Sequence, residues 1–145
     1  MTNLKIEKLT NEYVQKVFEL ETQLIGKASR ESIEKTLSNE TLSYYVLLNE
    51  NVVVGFFECL IIAPEAELFD IAVKDEFQGK GYSKILMDYF LNLAKQASCD
   101  TVFLEVNSIN HKALNLYRKY GFVQFDVRKK YYGDNDAILM KLELN

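Results

Sequence analysis

Residues 43 to 63 read SYYVLLNENVVVGFFECLIIA, two runs rich in β-branched and aromatic residues on either side of Asn49, Glu50 and Asn51. Such residues suit a pleated, half-buried surface, and the polar triplet between the runs is a hairpin signal. The strand pattern resumes after Pro64 in AELFDIAV, so three strands are expected as an antiparallel meander. The period then changes. From Gly81 onward, Ile85, Leu86, Tyr89, Phe90, Leu93, Ala94 and Ala97 recur at helical spacing, and a further strand, TVFLEV, follows. A helix between DIAV and TVFLEV makes a strand, helix, strand crossover, so these two strands should lie parallel or nearly adjacent in one sheet.

The flanks complete the pattern. Leu4 and Ile6 suggest a first strand, Val14, Val17, Phe18, Leu20, Leu24 and Ile25 a helix capped by Thr10 or Asn11, and a second helix follows Ser29 to about Leu37. NHKALNLYRKY predicts a short helix stopped by Gly121, and FVQFDVRKKYY with DAILMKLEL closes the chain as a hairpin. The expected fold class is α+β, a mixed, mostly antiparallel sheet with helices on both faces. With 145 residues, one proline and no repeat or low-complexity tract, residues 1–145 are expected to form a single domain.

Several functions are disfavoured. A formal charge of −4 argues against general nucleic-acid binding, which needs a basic face. No apolar run approaches the ~20 residues of a membrane span and MTNLKIEKLT has no signal core, so a soluble, cytoplasmic protein is expected. Cys59 and Cys99 lack a zinc spacing and are expected to be reduced core residues. His111 is the only histidine, and YYGDND is too short for an EF-hand, so no metal is expected. Arg128, Lys129 and Lys130 are expected to deter pairing at a strand edge.

The stretch DEFQGKGYSKILM carries two of the six glycines, Gly79 and Gly81, at a helix entrance. Either they only make a tight turn, or the turn opens a helix N-terminus onto a pyrophosphate. A dinucleotide fingerprint would need glycine where Lys84 stands, and no G-K-[ST] run is present, so NAD and ATP fit poorly.

QGKGYS, with Gln78 and Gly81 at the first and fourth positions, resembles the pyrophosphate loop of the GNAT superfamily of acetyl-CoA-dependent N-acetyltransferases. DIAVKDEFQGKGYSKILM, LEVNSINHKALNLYRKYGF and VRKKYYGDNDAILM, in that order, resemble the ribosomal-protein-alanine N-acetyltransferase branch, which modifies an N-terminal α-amine.

The resemblance implies a set of roles. Gln78, Gly79, Lys80, Gly81, Tyr82, Ser83 and Lys84 would bind the pyrophosphate of acetyl-CoA, and Ile71, Ala72 and Val73 its pantetheine. Glu105 would accept the amine proton and Tyr117 would protonate the departing thiolate. Asn110 would bond the CoA arm besides capping its helix, and Tyr131 and Tyr132 would border the peptide acceptor. Plainer readings stand beside these: Glu105 as a solvated strand carboxylate, Tyr117 as a core aromatic.

The implied activity is acetyl transfer to a protein N-terminal α-amine, with a ribosomal protein as partner and no covalent enzyme intermediate. Alternatives are a GNAT enzyme for a small amine or lysine, and a non-catalytic acyl-CoA-binding regulator.

Overall fold

A computed structural model describes residues 3–144. The chain divides into two compact units. One comprises the chain as far as Leu60 together with Phe69–Leu93, and the other Ile61–Leu68 together with the chain from Ala94. The seven strands, β1 (Leu4–Lys8), β2 (Leu42–Asn49), β3 (Val52–Ile62), β4 (Glu65–Val73), β5 (Thr101–Asn107), β6 (Val123–Tyr132) and β7 (Asn135–Glu143), are hydrogen-bonded in the order β1-β2-β3-β4-β5-β7-β6.

In the first unit, β1 (Leu4–Lys8) pairs antiparallel with β2 (Leu42–Asn49), and β2 with β3 (Val52–Ile62). The expected hairpin turn falls at Glu50 and Asn51, whose φ values are 52° and 67°. Two positive φ angles give a turn whose twist matches that of the strands it joins. It is tied down from outside, because the Glu50 N–H donates to the Asn3 carbonyl and the Asn3 N–H to the Glu50 carboxylate.

Helix α1 (Val14–Leu24) buries Val14, Val17 and Leu20, the i, i+3, i+6 stripe expected of one helix face. Burial of each stabilises by roughly 1.5–3 kcal/mol. Its entrance departs from expectation: neither Thr10 nor Asn11 caps it, and a 3₁₀ turn at Asn11–Tyr13 leads into the helix instead. Helix α2 (Arg30–Lys35) begins directly after Ser29, as expected, and Ser29 Oγ caps it by accepting from the Ser32 N–H at 3.2 Å. Leu9, Val14, Val17, Leu20, Ile33, Val46, Leu48 and Phe56 form one apolar core.

Strand β4 (Glu65–Val73) leads through a 3₁₀ turn at Asp75–Phe77 to α3 (Tyr82–Gln96). In the second unit, the first half of β4 pairs parallel with β5 (Thr101–Asn107), as the crossover required. After α4 (His111–Lys119), β6 (Val123–Tyr132) and β7 (Asn135–Glu143) form the closing hairpin, with β7 antiparallel to β5. Val102, Leu104 and Val106 are buried while Phe103, Glu105 and Asn107 are not, so β5 keeps the predicted period of two. Cys59 and Cys99 are free and buried. Among the described residues no helix is long and apolar enough to cross a membrane.

Candidate active site

The end of β4 and the glycine turn belong to the first unit. Ala72 and Val73 are buried, and Ile71 is partly so. Gly55 on β3 explains why this segment can lie where it does: a Cβ at Gly55 would stand 2.8 Å from the Ala72 carbonyl oxygen and 3.3 Å from Leu86 Cδ1. Only glycine permits that approach. Gly55→Ala is therefore expected to displace the Ile71–Val73 backbone and lower stability by about 1–3 kcal/mol, checked by thermal denaturation together with acetyl-CoA titration.

Gly79 and Gly81 have φ values of +80° and +81°, and open space surrounds the position of a Cβ at each. Backbone conformation, not crowding, calls for glycine here. Gln78 braces the turn from within, its Nε2 donating to the Val73 carbonyl and to Asp75 Oδ1, both at 3.2 Å. Phe77 stacks on Tyr82 at 5.9 Å between centroids. The turn delivers the chain into a fifteen-residue helix, whose first N–H groups and dipole suit an anion. Two cations stand beside it: Lys80 lies 5.9 Å over the Phe77 ring and Lys84 pairs with Asp88 at 3.2 Å. Ser83 is half-buried in the first turn.

The other residues singled out from sequence lie in the second unit. Glu105 projects from the non-core face of β5 and meets the Arg128 guanidinium at 3.3 Å. Asn110 caps α4, its Oδ1 accepting from the Ala113 N–H at 3.2 Å. Tyr117 is buried at 7% exposure near the end of that helix. The helix stops in a Schellman arrangement: the Phe122 N–H donates to the Tyr117 carbonyl and the Gly121 N–H to the Arg118 carbonyl, with Gly121 at φ +97°. The Phe122 ring meets Tyr117 edge-on at 5.8 Å, so the device that ends the helix also holds the tyrosine ring. Tyr131 and Tyr132 are exposed at the end of β6 and contact each other at 5.1 Å.

The sequence profile of the acetyltransferase (GNAT) family matches residues 6–122. The chain belongs to the GNAT acetyltransferase family. This GNAT chain is 35% identical, over 72% of its length and 77% of the relative's, to the [ribosomal protein bS18]-alanine N-acetyltransferase of Haemophilus influenzae. Its fold is that of the ribosomal-protein-S18-alanine N-acetyltransferase of Escherichia coli, with a TM-score of 0.89 at 24% identity over 99% of this chain and 95% of that one. Ard1 from Thermoplasma volcanium superposes with a TM-score of 0.86 at 26% identity, covering 98% of each chain. The GNAT chain is accordingly an acetyl-CoA-dependent N-acetyltransferase.

The structure adds a group in the first unit that sequence reasoning missed. Glu21 on α1, Glu58 on β3 and Asp70 on β4 bring one carboxylate oxygen each within 4.8 Å of one another. Tyr44 on β2, directly opposite Glu58, donates its hydroxyl to Glu21 at 2.7 Å. Burial pushes all three carboxyls up, and the Glu21 and Asp70 charges help raise Glu58 to about 7. The group therefore favours holding protons over holding three negative charges. Its signal in the sequence is Glu58 alone, a charge inside the otherwise apolar run VVVGFFECLIIA.

This gives a stability prediction for the GNAT chain. Glu58 binds its proton more tightly folded than unfolded, so its contribution is fully present below its ordinary value of 4.5 and is lost as pH rises through about 7. Glu58→Gln should raise stability by about 1–3 kcal/mol at pH 8 and change it little at pH 4.5. Melting curves at the two pH values check this, and equal shifts at both would contradict the assignment.

Proposed function

We propose that this enzyme transfers acetyl from acetyl-CoA to the α-amine of a protein N-terminus, a ribosomal protein in the cytoplasm, with the whole chain acting as one catalytic domain. The observation that carries the reading is the likeness to the bS18-alanine N-acetyltransferase of Haemophilus influenzae over most of this chain. The T. volcanium Ard1 likeness supports it at the level of fold and sequence.

The chemistry assigned to the residues is direct attack without an acyl-enzyme. An amine attacking a thioester must be neutral, must be held against the carbonyl, and must expel a thiolate that receives a proton. Gln78, Gly79, Lys80, Gly81, Tyr82, Ser83 and Lys84 hold the pyrophosphate, where positive-φ glycines turn the backbone into the start of α3. Ile71, Ala72 and Val73 bind the pantetheine through backbone groups, and Asn110 adds a contact to the CoA arm. Glu105 takes the amine proton, Tyr117 protonates the leaving thiolate, and Tyr131 and Tyr132 border the acceptor peptide. An α-amine of pKa ~8 retains a usable neutral fraction at pH 7, whereas a lysine amine at ~10.4 retains very little. Weak base assistance thus suits an N-terminus.

The experiment measures CoA release with two peptides copied from the N-terminus of a small-subunit ribosomal protein. One has a free α-amine and blocked lysines, the other the reverse. Turnover on the first alone is expected. Turnover on the second alone would replace the reading with a lysine acetyltransferase, and acetyl-CoA binding without turnover on either would point to a small amine.

A further inference from the structure

The RKK stretch of β6 does not act as three equivalent edge charges. Lys129 pairs with Asp136 at 3.5 Å, and the Lys130 N–H donates to the same carboxylate at 2.9 Å. Lys141 lies over the Phe125 ring at 5.8 Å and contacts Glu143 at 4.0 Å. Arg128 alone of these cations turns to β5. Its Cα partner on β7 is Ala137, whose own partner on β5 is Asn107, and across this small residue the guanidinium reaches Glu105 at 3.3 Å. The same guanidinium lies 5.4 Å over the Tyr131 ring.

We propose that Arg128 is the positioning residue for Glu105, fixing the carboxylate's direction while its planar face rests on Tyr131. The proposal rests on the reading of Glu105 as the proton acceptor. Three observations carry it. With side-chain exposures of 52% for Arg128 and 27% for Glu105, the pair contributes little to stability, so its effect is on where the carboxylate points. Arginine's rigid fork and flat face can serve an ion pair and an aromatic contact together, which a lysine ammonium cannot do as well. Glu67 on β4 supplies the competing influence: burial and then the Glu105 charge raise its carboxyl, while Arg128 opposes them. Without Arg128, two carboxyls would repel each other and Glu105 would swing away.

The test compares Arg128→Met and Arg128→Lys, each in the wild-type and Glu105→Gln backgrounds, by kcat, peptide KM and melting temperature. Arg128→Met should lower kcat about tenfold with KM and melting temperature nearly unchanged, as expected of a misaimed group. Arg128→Lys should recover part of that loss. In the Glu105→Gln background Arg128→Met should add no further loss. An equal loss in both backgrounds, or a lower melting temperature with kcat intact, would overturn the role of Arg128. Wild-type kcat in Glu105→Gln alone would instead overturn the assignment of Glu105 on which it rests.

Discussion

Tyr117→Phe is expected to lower kcat by roughly a hundredfold while leaving acetyl-CoA affinity within about twofold, since a positioned general acid contributes roughly 10²–10⁴ to rate. The substitution is informative because of how the ring is held. Tyr117 lies three residues before the Tyr120 C-cap, its carbonyl accepts from the Phe122 N–H, and its ring packs edge-on against Phe122. Phenylalanine keeps each of these and deletes only the hydroxyl. A drop in kcat with an unchanged melting temperature would locate the proton donor. Unchanged turnover would remove Tyr117 from that role and return it to the plain aromatic core of the second unit.

Glu105→Gln should also lower kcat, and the loss should depend on pH in a way that Tyr117→Phe does not share. Below the amine's pKa of ~8 most of the acceptor arrives protonated and needs a base; above it the amine arrives neutral. The deficit is therefore expected to reach about a hundredfold near pH 6.5 and to shrink toward pH 9. A pH–rate profile of wild type and variant on the free-α-amine peptide makes the comparison. A deficit independent of pH would indicate that Glu105 acts by holding Arg128 rather than by accepting a proton.

Much of the fold was legible because its signals are local. The period change between VVVGFF and the α3 pattern, the Asn49–Asn51 turn, the helix start after Ser29, the Asn110 cap and the Gly121 stop each depend on a few adjacent residues. The missing Thr10 cap shows the limit: a suitable residue was present, and a 3₁₀ turn took its place. The glycine turn was legible as a turn, and the structure shows that conformation calls for glycine there. Three features needed distant partners. Gly55 has meaning only through the Ala72 carbonyl, Glu58 through Glu21 and Asp70, and Arg128 through a carboxylate two strands away. No spacing rule along the chain encodes such pairs.

The Asp136 brace also has a consequence for how this enzyme can be altered. Between Arg128 and Tyr132 the β6 register slips against β7, and Lys130 adopts φ 53°. That irregularity is pinned by main-chain donors and acceptors: the Lys130 N–H gives to the Asp136 carboxylate, the Ser108 N–H to the Asp136 carbonyl at 2.9 Å, and the Asp136 N–H to Ser108 Oγ at 3.3 Å. The Lys130 hydrogen bond is also the foremost reason the Asp136 carboxyl titrates below its ordinary range. Lys129 adds only an exposed ion pair, so position 129 is free to vary while the scaffold beneath the two tyrosines stays in place, whereas the positive φ at position 130 limits it to residues that accept a left-handed backbone, glycine, asparagine and aspartate foremost. A library that randomises position 129 and restricts position 130 to residues tolerant of a positive φ, with Asp136 and Ser108 kept, would sample new surface chemistry at the hairpin without rebuilding it.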